Sequence, residues 1–528
     1  MHNFILLPLI GLAVLVGYKT VAIVVTRFQN ASRARQLACQ PAPKSDSGFF
    51  GLKELKALQA ADAKQLFPDY LIKSTQDMTK RLGRECSTFS YNVLGQTIFF
   101  TCDPKNIQAM LATQFQDFDI GATRRAILIE TLGDGIFAQD GKKWEHSRAM
   151  LRPNFVREQI SDLEMEERHV KNLMHVLPVR SGDGWTEFTE IQTLFFRLTI
   201  DTATDFLFGD SVLSQIAEAD QTTSQPRDER AFSGNFDSAQ LHMAKKFRLV
   251  DMHWLYNPKE YKANRTVIND FVNHYVDLAL QKGLTSKTSP DDEKKGHYVF
   301  LEALAQQTSD PVELHAQLLN ILLAGRDTTS SLLSWCFHQL LRNPHVFAKL
   351  RATILDTFGT YDDPKEVTFA TLKSCHYLQY TLSETLRLWS VVPGNARRTN
   401  KPTSLPRGGG PDGLSPVFLP AGTQVDFSIH VMHRRKDLWG PDAEEFKPER
   451  FVGRRHGWEF LPFNGGPRIC IGQQFALTEA SYVLVRLLQR FDKIEAAPGS
   501  LEGVVRSNLT LTSCPGDKVT LRLHEASN

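Results

Sequence analysis

Apolar residues run from Phe4 to Val25, interrupted at Lys19 and Thr20. A bilayer span needs about 20 residues, and counting through Val25 supplies them, with Lys19 snorkelling to one interface. A cleaved signal peptide carries positive charge ahead of its apolar core, whereas Arg27, Arg33 and Arg35 all follow this one. The pattern predicts a retained transmembrane anchor over 1–27 with the body on the cytosolic side. Residues 28–50 read as a basic, proline-containing hinge, carried by Gln40-Pro-Ala-Pro-Lys-Ser-Asp-Ser-Gly. Beyond it, short helical patterns to about residue 120 enclose a hairpin, Thr88–Leu94 and Thr97–Thr101 about Gly95-Gln96. Helices are predicted over 186–210 and 260–281, with polar loops over 211–234 and 283–296. A long helix begins at Asp310-Pro-Val-Glu313, with Asp310 as cap, Pro311 in the first turn and Glu313 reaching back, and stops at Pro344. Amphipathic helices follow over 372–389 and 475–491.

Composition narrows the field. The chain has 528 residues, and 61 Lys+Arg against 59 Asp+Glu leave a net charge of +2, which gives nucleic-acid binding no support. The seven cysteines (39, 86, 102, 336, 375, 470, 514) form no C-x-x-C pair, so neither a disulfide framework nor a zinc site is indicated and a reducing compartment fits. No long linker divides the middle of the chain, so one large domain over 51–528 competes with the roughly three that length alone suggests.

The candidate chemistry sits at Phe463-Asn-Gly-Gly-Pro-Arg-Ile-Cys470-Ile-Gly472, where a glycine-rich loop turns into the helix over 475–491. A sulfur there feels the positive end of the helix, which favours thiolate. Gly465, Gly466 and Gly472 permit unusual φ values, and Arg468 is a permanent cation suited to a carboxylate. A buried inert cysteine reads equally well, whereas a phosphate loop lacks its Gly-Lys-Ser/Thr ending. Within the long helix, Ala324-Gly325-Arg-Asp327-Thr328-Thr329 breaks the apolar pattern, and its threonines can back-bond to carbonyls. Trp144 and Arg148 lie four apart on one helix face, and Glu384 and Arg387 three apart on another. His430 and His433 read as structural.

Phe463, Gly466, Arg468, Cys470 and Gly472 at this spacing resemble the haem-binding loop of cytochrome P-450 enzymes. The resemblance implies a mainly α fold with small β-sheets, a single large haem domain preceded by the anchor. It makes Cys470 the proximal ligand of the iron of haem b (iron protoporphyrin IX). Trp144-x-x-x-Arg148 matches the helix that binds a haem propionate, and Val392-Pro-Gly-Asn-Ala-Arg397-Arg398 the strand that lends it an arginine, with register favouring Arg397. Ala324, Gly325, Asp327 and Thr328 match the oxygen groove, where the acid–alcohol pair manages proton delivery. Glu384, Arg387 and Arg450, the last within Pro448-Glu-Arg-Phe451, match a buried structural triad. The implied activity is insertion of one oxygen atom of O₂ into a substrate, with NADPH electrons from a membrane-bound NADPH-cytochrome P-450 reductase and cytochrome b5 as a further partner. Lys142, Lys143, His146 and Arg152 read as a solvated face or a docking patch for the reductase. A haem isomerase, or a haem sensor or electron carrier, is the competing reading, and the Asp327–Thr328 pair argues against the isomerase. Leu322-Leu-Ala-Gly-Arg-Asp-Thr-Thr-Ser330, the cysteine loop through Glu479, and Trp144-Glu-His-Ser-Arg-Ala-Met-Leu-Arg-Pro153 are similar to the fungal n-alkane and fatty-acid hydroxylase branch. That branch implies terminal hydroxylation of long aliphatic chains at the endoplasmic reticulum membrane, beside membrane lipid, with a sterol or polyketide substrate as the alternative.

Overall fold

The computed structural model describes residues 2–156, 163–219, 229–285 and 299–527. The long helix, Pro311–Arg342, is the axis of the molecule. Asp310 caps it by accepting from the Val312 N–H at 2.9 Å, and Asn343, at ψ 70, ends it before Pro344. Glu313 does not close a capping box; its carboxylate meets His146 Nε2 at 3.0 Å.

The helix is buried nearly all round, which matches its lack of a polar face. Its Leu314–Leu323 half belongs to one core, with Ile127, Leu132, Phe232 and Phe300. Its Leu332–Leu340 half belongs to another, with Phe195, Leu382 and Leu484. The Ala-Gly-Arg-Asp-Thr-Thr stretch falls between the two cores, so the interruption in the apolar pattern marks where packing gives way to a cavity.

The small sheets lie to one side. The largest runs Thr88–Val93, Gln96–Thr101, Gln424–Ser428, Gly394–Thr399, Phe118–Asp119. Its hairpin is the predicted one, with Phe89 opposite Phe100, and Gln96–Thr101 then pairs in parallel with Gln424–Ser428.

Several elements differ from the sequence expectations. The expected loop over 211–234 contains the helix Ser214–Ala219 and the start of Glu229–Arg248; 220–228 lie outside the described residues. Residues 283–285 of the second expected loop end the helix Lys259–Thr285, and 286–298 are not described. The helix expected over 372–389 is two, Phe369–Ser374 and His376–Leu388, parted at Cys375 (ψ 83). The N-terminal helix spans His2–Gln36, taking in the first part of the expected hinge. The rest of that hinge is bonded to the body: Ser45 N–H donates to Ser90 O at 2.7 Å and Gln40 N–H to Pro416 O at 2.8 Å. Among the described residues no helix is long and apolar enough to cross a membrane. The N-terminal helix nonetheless leaves Val16, Val21 and Val24 more than half exposed.

Glu384 and Arg387, which as an i,i+3 pair could have been a surface contact, have no exposed side-chain surface. Arg387 donates to both Glu384 carboxylate oxygens (2.7 and 2.9 Å) and to the carbonyls of His433, Ala443 and Glu445. Arg450 approaches Glu384 at 3.4 Å and binds Asp442 at 2.8 Å. A buried ion pair is tolerable only when its remaining donors and acceptors are met, and here backbone carbonyls meet them.

Candidate active site

The cysteine loop is shaped by what it packs against. The Cys470 N–H donates to Phe463 O at 3.0 Å, closing the loop ahead of the helix Gln473–Arg490. Of the three glycines only Gly466 lies in the left-handed region, at φ +67; Gly465 is extended and Gly472 sits at φ −91. A Cβ on Gly466 would fall 1.8 Å from Leu111 O, so that glycine is required twice over. At Gly472 a Cβ would meet only Phe155, at 3.8 Å.

Cys470 opens onto a cavity of about 570 Å³ deep inside the protein, so its exposed surface is cavity wall. Burial pushes its thiol up, outweighing the Gly472 N–H and the Arg148 charge that pull it down. The helix start alone therefore does not make this sulfur a thiolate; a bound metal cation would.

Phe463, Trp144, Arg148, Ala324, Gly325, Thr328, Arg397, Arg468 and Gly472 line the same cavity. Trp144 lies between two guanidiniums, Arg468 at 4.4 Å and Arg148 at 5.8 Å from its ring centroid. Arg148 donates to Ile469 O (3.0 Å), and Arg468 pairs with Asp140 (2.7 Å). Arg397 is buried and donates to Asn395 Oδ1 (3.1 Å) and Ala396 O (2.7 Å). Its strand neighbour Arg398 points the other way, to Asp251 at 2.9 Å, as strand alternation requires.

Arg124, on the helix Ala122–Leu132, joins the group through Asn395 and was not among the residues singled out by sequence. Side by side with Arg125, which pairs with Asp134 near the surface, it carries no pattern that marks it. Arg124, Arg397 and Arg468 thus converge with Asp140 as the carboxylate that answers them. Burial, then the neighbouring guanidiniums, push Arg397 down to about 9; burial and Arg468 push Arg124 down to about 10. The Nε of both is buried without a partner. Such a surplus of desolvated positive charge fits a bound dianion, and the two carboxylates of a haem supply one.

On the opposite wall, Thr328 Oγ1 donates to Ala324 O (2.7 Å), the back-bond expected of it, and the helix continues without a break. A Cβ on Gly325 would touch only Ala203, at 3.6 Å, so the glycine is set by the cavity rather than by packing. Asp327 does not face the cavity. It accepts from Arg326 Nη1 (2.9 Å) and Gln240 Nε2 (2.6 Å), and burial raises it to about 6 despite Arg326. Arg326 is shared with Asp237. The acid and the alcohol are neighbours in sequence but stand on different faces of the helix.

His433 accepts from the Leu461 N–H (3.0 Å), a structural role, and no cluster of three metal-ligating side chains occurs among the described residues. Two of the four basic residues near Trp144 are paired: Lys143 with Asp134 and His146 with Glu313.

A mainly helical fold with a cysteine and an arginine group on the wall of one cavity has the layout of a cofactor-dependent enzyme. Residues 70–503 match the family model described as Cytochrome P450. The chain is 49% identical over 510 residues to "Cytochrome P450 monooxygenase g430" of Fusarium sp, covering 96% of this chain and 88% of that one. It is 41% identical to "Cytochrome P450 monooxygenase alt2" of Alternaria solani (93% and 92% covered) and 45% identical to "Cytochrome P450 52A1" of Candida tropicalis (83% and 81%). The crystal structure of the cytochrome P450DA heme domain shares the fold, with a TM-score of 0.72 at 21% identity over 93% of this chain and 98% of that one. The chain belongs to the cytochrome P450 family: it is a monooxygenase, an oxidoreductase using thiolate-bound haem and electrons from a redox partner.

Gly466→Ala forces a Cβ into Leu111 O in a left-handed backbone. We expect a loss of at least about 2 kcal/mol in stability by thermal or urea unfolding, with poorer haem retention. An unchanged melting curve contradicts this account of the loop.

Proposed function

We propose that this monooxygenase hydroxylates long aliphatic chains, n-alkanes or fatty-acid-like molecules, at or near the terminal methyl. One observation carries the reading. The cavity that holds Cys470 and Gly325 is also walled by the apolar side chains of Leu58, Phe67, Phe89, Phe247 and Val250. Each buried CH₂ contributes about 0.8 kcal/mol, so a chain threading this apolar passage gains affinity along its whole length. A methyl C–H is stronger than a methylene C–H, so terminal attack requires the chain to arrive end-on. An apolar lining that reaches Ala324 and Thr328 is suited to that geometry.

Cys470 would ligate the haem iron, and Arg124, Arg397, Arg468, Trp144 and Arg148 would hold its propionates. Bound there, the haem supplies oxygen activation. Thr328 then positions a hydroxyl beside the reacting atoms. Asp327 stores a proton behind it, exchanging Gln240 or Arg326 for the groove when that proton moves.

The N-terminal helix, with Arg27, Arg33 and Arg35 after its apolar run, would hold the enzyme at the endoplasmic reticulum membrane with the body cytosolic. Exposed Phe49, Trp254 and Leu255 offer the body its own contact with lipid. NADPH-cytochrome P-450 reductase and cytochrome b5 would dock near Lys142 and Arg152.

Product analysis with dodecane and lauric or oleic acid, in membranes with reductase and NADPH, tests the substrate class. Terminal alcohols or diacids are expected; turnover of only a rigid polycyclic compound refutes it. Cys470→Ala serves as control and should abolish both the products and the red-shifted ferrous–CO Soret band.

Thr328→Ala should leave haem content intact while product per NADPH falls and peroxide rises. Unchanged coupling removes Thr328 from proton delivery.

Deleting residues 1–36 should release much of the protein from membranes on carbonate extraction while the haem spectrum persists. A truncated protein that still resists extraction as an integral one excludes the anchor role.

A further inference from the structure

Asp327 is tied down from two sides, and the two tethers differ. One is ionic. Arg326 Nη1 donates to Asp327 Oδ1 at 2.9 Å and to Asp237 Oδ1 at 2.5 Å, and its Nη2 reaches Asp237 Oδ2 at 3.2 Å. A buried guanidinium held between two carboxylates has nowhere better to go. The other tether is neutral. Gln240 Nε2 donates to Asp327 Oδ2 at 2.6 Å, and Gln240 Oε1 in turn accepts from Thr510 Oγ1 at 3.3 Å.

Thr510 sits at the tip of a hairpin in which Ser507–Leu509 pairs with Ser513–Pro515. The base of the hairpin is fixed to the body: Trp335 Nε1 donates to Ser513 O at 3.0 Å, and the Ser513 N–H to Val391 O at 2.8 Å. The tip meets the cavity, with Leu509, Thr510, Leu511 and Thr512 all on its wall. Gln240 is buried on the helix Glu229–Arg248, behind that wall. Thr510, Gln240 and Asp327 thus form a line from the cavity surface to the acid that does not pass through Thr328.

The links are unequal. The bond from Gln240 to Asp327 is short, whereas the bond from Thr510 to Gln240 lies near the limit of hydrogen-bond length. A molecule packed against Leu509 and Leu511 breaks the longer one by moving the tip a few tenths of an ångström. Gln240 then loses the contact that orients its amide, and Asp327 loses its fixed donor on Oδ2 while Arg326 keeps Oδ1.

Resting on the reading of Asp327 as the proton store, we propose that Gln240 is a positioning residue and Thr510 its sensor. An empty cavity keeps Asp327 tied back, and an occupant pressed on the hairpin tip releases it. Proton supply is thereby linked to occupancy of the cavity.

The link has a consequence in binding alone. Besides Gln240, Asp327 faces Arg326 on its own helix, Asp237 on the helix Glu229–Arg248, and Cys514 on the hairpin. Burial and the two carboxylates push the Cys514 thiol up to about 12, so it stays neutral. Burial raises Asp327 to about 6, and the Gln240 N–H is among the groups that pull it back down. Losing that donor raises Asp327 further. The occupied enzyme then holds more protons than the empty one, and affinity rises as pH falls through the Asp327 range.

Dodecane, which has no ionisable group, tests this in the haem-loaded ferric enzyme. Spin-shift titrations run from about pH 8 to about pH 5.5, with proton uptake read by calorimetry in buffers of different ionisation heat. Wild-type enzyme should bind dodecane about three- to tenfold more tightly at the lower pH, taking up a proton. Asp327→Asn should remove both effects, which assigns the proton. Thr510→Val, which keeps the shape and removes the donor, should remove them too, and Thr510→Ser should restore them. Gln240→Leu should match Thr510→Val, and either variant carries the test if the other fails to load haem. Proton uptake that persists in Thr510→Val or Gln240→Leu, or is missing from the wild type, overturns the sensor. Product per NADPH in Asp327→Asn judges the proton store separately: a ratio equal to the wild type's refutes the store. If dodecane gives no spin shift, chain hydroxylation falls, and a neutral polycyclic compound that does give one takes its place in the same titrations.

Discussion

A guanidinium with no solvent-exposed surface ties the cysteine side of this molecule together. Arg387 donates to Glu384 from Nε and Nη2 and to three backbone carbonyls from Nη1 and Nη2. The carbonyls belong to His433, Ala443 and Glu445, in the segment that leads by way of Arg450 and Phe451 to the cysteine loop. Removing either charge would strand the other in a medium that cannot solvate it. The helix His376–Leu388 and the approach to Cys470 are therefore locked in one geometry, and the sulfur is aimed by an ion pair that never touches it.

Held in this way, the cavity gathers positive charge near the cysteine loop. Arg124, Arg397 and Arg468 crowd together with Asp140 as the carboxylate that answers them, an arrangement unfavourable by itself and suited to a dianionic prosthetic group. Elsewhere on the lining Arg248 and Arg398 are paired with Asp62 and Asp251, and Glu54 and Asp426 are half-buried.

The long helix reconciles a cavity with stability. Both of its halves are buried in cores, and between them Ala324, Gly325 and Thr328 are partly exposed, on the cavity wall, while Arg326, Asp327 and Thr329 stay buried. Its polar side chains divide by face. Thr328 looks into the cavity, whereas Asp327 is tied back to Arg326 and Gln240, off the cavity wall.

Much of this was written locally. The Phe463–Gly472 spacing, the cap at Asp310, the stop at Pro344 and the hairpin about Gly95 depend on neighbours a few residues away, and each could be read from the chain. The triad was implied only by the family resemblance; as residues, Glu384 and Arg387 read as an i,i+3 pair. Charge pairing over hundreds of residues could not be read from the chain. Nothing in the sequence joins Arg124 to Asn395, sets Arg248 on Asp62, or turns Arg398 away from Arg397's neighbours. The helix inside 211–234 was hidden for a related reason: its polar residues look like a loop until a buried partner such as Asp201 caps Ser214 and Gln215. The thiol of Cys470 shows the division most plainly. Sequence placed it at a helix start, where the local field favours a thiolate; only the tertiary structure decided that burial outweighs that field, because desolvation is a sum over every atom packed around the sulfur.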